Sequence, residues 1–234
     1  MKKDREIGIV VYGATGYTGK LVAEYLNNQY GVGGDISWAM AGRSLEKLET
    51  VRDDVGIAKE VPLVVADASD PSSIKSMVER AAVVLTTVGP YQLYGSDLVA
   101  ACAAAGTDYV DLCGEPTWMK QMIDAHSEAA RASGARIVFS CGFDSIPFDL
   151  GVLFLQQEAQ EIFGTPVPRV RGRVAGLSGV WSGGTLASFR TTMAAAAKDP
   201  SLVATLMNPF ALTPDFTGAD QPDGLQPKYD EVLD

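Results

Sequence analysis

Three glycines near the start of the chain, Gly13, Gly16 and Gly19, repeat at a regular spacing. They follow an apolar run at 7–12, typical of a strand buried on both faces, and precede an amphipathic segment at 20–30 that predicts a helix. In that context the glycines permit a tight turn, a close approach to a pyrophosphate and close helix packing, while helix N–H groups bind the phosphates. The alternative is a glycine-rich turn without a ligand. The predicted phosphate loop consists of Gly13, Ala14, Thr15, Gly16, Tyr17, Thr18 and Gly19.

The end of the second predicted strand, residues 36–41, indicates which dinucleotide binds. NAD sites usually carry an acidic residue there, about 20 residues beyond the glycines, for the ribose 2′-hydroxyl. This sequence has Gly42, Arg43 and Ser44 instead, so no carboxylate would repel a 2′-phosphate. Arg43 could form charge-assisted hydrogen bonds with that phosphate, with Ser44 as a second donor. The sequence therefore favours NADP(H), and the alternative is that Arg43 is a solvated surface residue.

Further candidates follow the third and fourth predicted strands, at the sheet edge where ligands bind in open α/β folds. Asp67 could accept a hydrogen bond from the adenine amine, or it could cap the next helix, and the sequence does not decide between these roles. Gly89 permits a close approach of the backbone, and Pro90 stiffens the turn. Tyr91 comes next, and we expect its ring to pack on the nicotinamide ribose.

The proton donor that a reductase needs in addition to a hydride donor stays open at this stage. Tyr91, Tyr94 and Asp144 could all lie near the nicotinamide, and nothing in the sequence ranks them. For Asp144 we favour a structural role in a rigid turn, with its carboxylate bonded to backbone N–H groups. Other side chains that follow strand ends at the same expected edge are Cys113, Glu115 and Cys141.

Two other kinds of chemistry find little support in the sequence. A serine or cysteine nucleophile usually needs a histidine as its general base. His126 is the only histidine in the sequence, and it lies in the middle of a predicted helix. The three cysteines, Cys102, Cys113 and Cys141, lack the spacing of metal ligands, and Cys102 is expected in the core. We therefore predict no hydrolase site and no metal site.

Alternating strands and helices must position the candidate residues over the first 140 positions. Apolar runs predict six strands, at 7–12, 36–41, 61–66, 82–88, 109–112 and 136–140. Helices are predicted between them, at 20–30, 45–51, 72–80, 96–105 and 117–133. This alternation predicts an α/β fold with a Rossmann-type doubly wound parallel sheet.

The pattern changes after about residue 150. Helices are predicted at 150–162 and 185–197, and residues 169–174 alternate like a half-exposed strand. The last segment, 214–234, is acidic and proline-containing, so we expect it to be an exposed tail. We predict a Rossmann domain that binds NADP at 1–148 and a partial α+β second domain, with the acidic tail, at 149–234.

Composition excludes several classes of protein. The 234 residues carry 19 basic and 29 acidic side chains, a formal net charge of −10, and 47% of them are hydrophobic. The apolar fraction is too high for a disordered chain, and the acidic balance argues against nucleic-acid binding. No apolar run is long enough to span a membrane, and the N-terminus does not resemble a signal peptide. Since three cysteines also form no disulfide framework, we expect a cytoplasmic protein.

Several motifs together carry a family resemblance. They are Gly13–Gly19, Ala41–Arg43, Val88–Tyr91, Tyr109–Glu115, Cys141–Pro147 and Ser182–Thr185. In this order they resemble the saccharopine dehydrogenase-like oxidoreductases, and within that group most of all the trans-acting enoyl reductases of mycobacteria. The resemblance implies an NADP-binding Rossmann domain and a second α+β domain whose sheet covers the cofactor cleft. Family members are usually nearly twice as long as this chain.

The resemblance implies reduction of an enoyl double bond on a lipid or polyketide chain that a polyketide synthase presents, in glycolipid biosynthesis. It leaves open a homo-oligomer and a peripheral association with the membrane. One alternative is a saccharopine-type amino-acid dehydrogenase, whose substrate carries three carboxylates and would need several arginines. The only arginine cluster is Arg169, Arg171 and Arg173, which alternation places on one strand face. The other alternative is a catalytically inert NADP-binding or scaffold protein.

Overall fold

The structure, a computed structural model, describes residues 5–176, 178–213 and 215–218. Six strands form one parallel sheet. They are β1 (Ile7–Tyr12), β2 (Trp38–Gly42), β3 (Leu63–Val65), β4 (Ala81–Thr86), β5 (Asp108–Val110) and β6 (Ile137–Val138). Their order is β3-β2-β1-β4-β5-β6, so the direction of progression reverses between β1 and β4. This topology confirms the predicted Rossmann-type sheet.

Helices connect the strands and continue after the sheet ends. Those within the sheet region are α1 (Tyr17–Tyr30), α2 (Leu45–Val55), α3 (Pro71–Arg80), α4 (Tyr91–Tyr94), α5 (Ser96–Ala105) and α6 (Pro116–Ser133). Those that follow β6 are α7 (Ile146–Phe163), α8 (Gly183–Lys198) and α9 (Ser201–Met207). In the described part of the chain, no helix has the length and apolar character that crossing a membrane requires.

The core lies on both faces of the sheet because consecutive strand residues point in opposite directions. Val10 and Val11 are neighbours in β1 and both are fully buried, yet they belong to two separate apolar clusters. Val11 packs in a cluster with Leu26 of α1 and Leu48 of α2. Val10 belongs to the cluster that contains Leu98 of α5 and other side chains from α3 and α6. Continuous apolar strands are therefore explained by helices on both faces.

Local polar residues set where several helices begin. Ser44 precedes α2 and its hydroxyl accepts a hydrogen bond from the Lys47 N–H at 3.3 Å. Asp70 does the same for α3, where its carboxylate accepts from the Ser72 N–H at 3.0 Å and Pro71 occupies the first helical turn. Such caps satisfy backbone donors that the helix itself leaves unpaired. The sequence therefore fixes these helix starts locally.

The two edge strands are shorter than the sequence predicts. β3 covers Leu63–Val65 instead of 61–66, and β6 covers Ile137–Val138 instead of 136–140. Each pairs with a neighbour on one side only, β3 with β2 and β6 with β5. The apolar runs continue beyond the paired residues, but a strand exists only where a neighbour supplies hydrogen bonds. Apolar pattern alone therefore overestimates the length of an edge strand.

The predicted strand at 169–174 is wrong, because these residues have no regular secondary structure. A strand needs a partner edge, and the sheet that the structure describes contains no seventh strand beside β6.

The helices predicted at 150–162 and 185–197 are confirmed as α7 and α8. The boundary predicted between residues 148 and 149 falls inside α7, and it stays a prediction. Most of the predicted acidic tail lies outside the described residues.

Candidate functional site

The candidate site lies at the carboxyl edge of the sheet, where the strand order reverses between β1 and β4. In open α/β sheets the crevice at such a position is where ligands bind. The loop after β1 is tied to β2, because the N–H groups of Gly13 and Ala14 donate to the Ala41 carbonyl at 2.9 and 3.1 Å. The Thr87 hydroxyl, just after β4, donates to the Gly13 carbonyl at 3.2 Å. Backbone from three strand ends thus surrounds the predicted phosphate loop.

Two glycines allow β1, α1 and the β4 loop to approach one another. A Cβ atom on Gly13 would lie 2.7 Å from the Thr87 hydroxyl, and Gly13 has a φ of +93°, which other residues rarely adopt. A Cβ atom on Gly19 would lie only 2.1 Å from the Gly13 carbonyl oxygen. Both distances are far below van der Waals contact. The glycine spacing is therefore required by packing, as the sequence analysis predicts for Gly13 and Gly19.

The N-terminus of α1 fits an anionic group. Gly16 is the N-cap and supplies no side chain, and the first turn contains no acidic residue. Tyr17 is exposed, and Thr18 is half-buried. Uncapped N–H groups and the positive end of the helix dipole favour a phosphate at this position. The segment from Gly13 to Gly19 therefore fits the pyrophosphate of a dinucleotide.

The end of β2 presents a cation beside this loop. Arg43 is exposed, immediately after the last residue of β2. The Ser44 hydroxyl oxygen accepts a hydrogen bond as the cap of α2. Its O–H can donate a second hydrogen bond at the same time. Hydrogen bonds from the Ser69 N–H and hydroxyl lower the pKa of Asp67, and the positive charge of Arg43 lowers it further. A guanidinium, a hydroxyl and a carboxylate therefore lie at one end of the crevice.

Asp67 does not cap the next helix, so one of its two predicted roles is wrong. Its carboxylate accepts from the Ser69 N–H and hydroxyl at 2.9 and 2.8 Å, whereas Asp70 is the residue that caps α3. Tyr12, which is buried at the end of β1, was not among the residues predicted from the sequence. Burial, followed by the negative charge of Asp67, raises the pKa of Tyr12 to about 12. Its place as the last residue of the apolar run at 7–12 was the signal that could have identified it.

The loop after β4 lies on the other side of the crevice. Gly89 and Pro90, joined by a cis peptide bond, precede the short helix α4. The Tyr91 side chain is only 5% exposed; its hydroxyl donates to the Thr86 carbonyl at 3.3 Å, and its ring lies 5.6 Å from that of Trp118. The ring therefore faces the core, and it is not available to pack on a ribose. The backbone of this loop, not the Tyr91 ring, lines the crevice.

Two buried carboxylates hold the loops that follow β4, β5 and β6. Asp111 accepts from the Tyr109 hydroxyl at 2.7 Å, from the Cys113 N–H at 3.0 Å and from the Ser140 N–H at 2.8 Å. Burial raises the pKa of Asp111, although these hydrogen bonds oppose the shift. Glu115 is fully buried and accepts from two backbone N–H groups of α4. The sequence predicts Glu115 at this edge but not its role as an acceptor for the backbone of α4.

The cysteines near this edge do not have the environment of reactive thiols. Burial raises the pKa of the Cys113 thiol, and the negative charge of Asp111 raises it further. Burial also raises the pKa of Cys141. Cys102 is fully buried in α5, as the sequence predicts. A raised pKa keeps a thiol protonated, so these groups are poor nucleophiles.

The structure separates the three candidate proton donors. Tyr91 has its hydroxyl in the core, and burial raises the pKa of that hydroxyl far above its ordinary value. Tyr94, at the end of α4, is 48% exposed. Asp144 is exposed, and its carboxylate has no hydrogen bond among the residues that the structure describes. Tyr91 is therefore the least suitable donor, and the structural bonds expected for Asp144 are not formed. His126 is half-buried on α6, away from the loops described above.

Comparisons with known proteins agree with this geometry. The sequence model of the saccharopine dehydrogenase NADP-binding domain matches residues 9–138, more than half of the chain. A relative from Mycobacterium tuberculosis is 47% identical over 224 residues, which cover 95% of this chain and 52% of the relative. A Mycobacterium ulcerans protein named trans-acting enoyl reductase is 44% identical over 228 residues, which cover 96% of this chain and 53% of that protein. The chain therefore spans about half the length of these relatives.

A comparison of structures gives a more distant likeness. The solved structure of a saccharopine dehydrogenase (L-Glu forming) from Saccharomyces cerevisiae superposes with a TM-score of 0.46 and 16% sequence identity. The superposed region covers 68% of this chain and 32% of the yeast chain.

Proposed function

This chain belongs to the saccharopine dehydrogenase NADP-binding domain family, and from that premise we propose that its sheet edge binds NADP(H) for an enoyl reduction. The observation that carries the proposal is the uncapped, acid-free N-terminus of α1 beside the exposed Arg43. One feature fits a pyrophosphate and the other fits a 2′-phosphate. When bound, NADPH would supply the hydride.

The phosphate loop would bind the pyrophosphate mainly through its backbone. Gly13, Ala14, Thr15 and Gly16 form the turn, and the N–H groups of Tyr17, Thr18 and Gly19 begin the helix. This assignment is supported by the close contact of Gly19 with the Gly13 carbonyl, which leaves no room for a side chain between loop and helix. Backbone donors and the helix dipole would orient the phosphates without a charged side chain.

The adenosine half would lie beside the ends of β2 and β3. Arg43 would bind the 2′-phosphate through its guanidinium, and Ser44 would donate its hydroxyl while it caps α2. Asp67 would accept from the adenine amine, because its carboxylate is held in place by Ser69 and is not used as a helix cap. The nicotinamide half would lie beside the backbone of Gly89, Pro90 and Tyr91.

We propose an enoyl group on an acyl chain as the substrate, because a relative at 44% identity is named trans-acting enoyl reductase. The experiment measures NADPH consumption with an enoyl thioester, with the matching saturated acyl thioester as the control. Consumption with the enoyl thioester alone supports the proposal. Saccharopine is oxidised by a dehydrogenase, so formation of NADPH from NADP⁺ and saccharopine would instead favour an amino-acid dehydrogenase. Cofactor binding without turnover on either substrate would favour an inert scaffold.

In the same proposal, the acyl chain is presented by a polyketide synthase in glycolipid biosynthesis, in the cytoplasm or at the membrane surface. The term trans-acting in the relative's name supports a separate partner that presents the chain. The exposed apolar side chains of α7, which include Phe148 and Phe154, support the membrane surface. Mixing the protein with vesicles and sedimenting them would test the membrane association. A protein that stays entirely in the supernatant would contradict it.

A further inference from the structure

Glu115 is a buried carboxylate with no solvent contact, and it binds backbone from a different loop. It lies between β5 and α6, while its partners are the first two residues of α4, directly after the loop that follows β4. One carboxylate oxygen accepts from the Tyr91 N–H and the other from the Gln92 N–H, each at 2.9 Å. Hydrogen bonds to a charged acceptor are stronger than those between neutral groups, and burial excludes competing water. Glu115 therefore fixes the start of α4 against β5.

The same contact extends to the helices that follow the sheet. The Gln92 side-chain amide donates to the Thr192 hydroxyl of α8 at 3.2 Å. Thr192 is the buried residue of α8, so this hydrogen bond lies where α8 packs against α4. Glu115, Gln92 and Thr192 thus form a continuous polar connection from the end of β5 to α8.

The connection passes the backbone that the proposed function assigns to the nicotinamide. Gly89 and Pro90 immediately precede the two residues that Glu115 binds. Because α4 begins at Tyr91, a shift of its first turn would move Gly89 and Pro90 as well. The phosphate loop is bound to β2 through the N–H groups of Gly13 and Ala14, and Arg43 directly follows β2, so neither depends on the contact with Glu115.

We propose that Glu115 is a positioning residue that holds the β4 loop so that the nicotinamide half of NADP(H), but not its adenosine half, is correctly placed. The inference rests on the proposed function, because it requires the dinucleotide to bind at this edge. Glu115 touches neither substrate nor cofactor in this arrangement, and it acts through the backbone of Tyr91 and Gln92.

The variant that tests this is Glu115→Gln, which keeps the size of the side chain. Its amide has one acceptor oxygen and one NH₂ group, so one of the two backbone N–H donors loses its partner. Glu128→Gln is the matched control, because Glu128 is exposed on α6 and the change in charge is the same. Glu115→Asp is a second variant, which keeps the charge but is too short to reach both N–H groups.

The measurement is saturation-transfer NMR with NADP⁺, which reports separately on the nicotinamide and adenine protons. In the original protein and in Glu128→Gln, both rings should receive saturation. In Glu115→Gln the ratio of nicotinamide to adenine signal should fall by about threefold, while the dissociation constant of NADP⁺ changes by less than that. With an enoyl thioester, kcat should fall by about tenfold with little change in the KM for NADPH.

The outcomes separate this inference from the function beneath it. An unchanged signal ratio in Glu115→Gln, with normal NADP⁺ binding, would overturn the positioning role and leave the proposed function intact. Failure of the original protein to transfer saturation to either ring of NADP⁺ would overturn the proposed function and the inference together. If Glu115→Gln does not fold, Glu115→Asp decides, since it should show the same selective loss of the nicotinamide signal.

Discussion

Asp111 and Glu115 are acidic residues at an edge where the sequence suggests chemistry, yet both carboxylates bind protein backbone. Asp111 joins the loops that follow β5 and β6, since it accepts N–H groups from Cys113 and Ser140. Glu115 joins the loop after β5 to α4. Both are buried, where an unpaired carboxylate would be costly, so these hydrogen bonds are required for the fold. A pair of acids in a motif is therefore not by itself a catalytic pair.

The buried position of Asp111 predicts a characteristic dependence of stability on pH. Burial raises the pKa of Asp111 above its ordinary value of 3.8, so the folded state holds this proton more tightly than the unfolded state. The contribution of Asp111 to stability is therefore complete below pH 3.8 and is lost as the pH rises through the raised pKa. Asp111→Asn removes the ionisation and keeps an acceptor oxygen for the two N–H groups.

We therefore expect the free energy of unfolding of Asp111→Asn, relative to that of the original protein, to increase as the pH rises. Urea unfolding of both proteins at a series of pH values measures this difference, and the subtraction removes the contributions of all other groups. A difference that stays constant would show that the hydrogen bonds balance the effect of burial on the pKa, and one that decreases with rising pH would show that they outweigh it.

Arg43 carries the prediction for cofactor choice. Arg43→Ala should weaken NADPH binding by about tenfold, because a charge-assisted hydrogen bond contributes roughly 1.5 kcal/mol. NADH lacks the 2′-phosphate, so its affinity should not change. Fluorescence titration with each nucleotide measures both constants. Lys59→Ala removes the same charge from the loop before β3, at the opposite edge of the sheet, and should affect neither. Equal losses for NADPH and NADH would show that Arg43 does not bind the 2′-phosphate.

Among the secondary-structure elements, the contact between β1 and α1 determines the geometry of the site. Gly19 lies in the first turn of α1 against the carbonyl of Gly13, and this contact brings the helix N-terminus to the strand end. A helix normally becomes more stable when alanine replaces glycine, by about 1 kcal/mol. At Gly19 the packing should reverse that preference, since the added methyl group would meet backbone that cannot move away.

Two matched substitutions test this reversal. Gly19→Ala should destabilise the protein by about 2 kcal/mol, because the added Cβ lies 2.1 Å from the Gly13 carbonyl oxygen. Gly151→Ala, in α7, meets no atom within 4 Å and should stabilise the protein by about 0.5–1 kcal/mol. Thermal and urea unfolding followed by circular dichroism compare the two. Changes of the same sign would contradict the close contact.

At the scale of the whole molecule, burial is distributed unevenly along the described residues. The helices between the strands contribute many buried side chains, including Leu98 and Trp118. In contrast, α7 buries only Ala159 and α8 buries only Thr192, while large apolar side chains such as Phe154 and Phe163 are exposed. Helix stability in proteins comes mostly from packing of an apolar face. The helices α7 and α8 therefore receive less support from the sheet than α5 and α6 do.

This distribution predicts a difference in hydrogen exchange. We expect the amides of α7 and α8 to exchange faster than those of β1, β4 and α5, because few buried contacts must break for these helices to open. Mass spectrometry of peptic fragments measures the rates. Equal protection in α7 and in β1 would show that the helices after the sheet are as stable as the sheet itself.

The sequence by itself determined the order of the strands and helices along the chain as far as β6, and the family, because these depend on local periodicity and on residues close together in the chain. The phosphate loop stays a prediction from the same local pattern. β1 matches the predicted run at 7–12, and α2 begins directly after Ser44 because the Ser44 hydroxyl accepts from the Lys47 N–H three residues on. Only the tertiary structure decided that the Tyr91 ring faces the core, that Asp67 does not cap α3, and that no strand forms at 169–174. It also revealed that Glu115 binds α4. These outcomes depend on partners that are distant in sequence or on a neighbouring strand, which a local pattern does not contain.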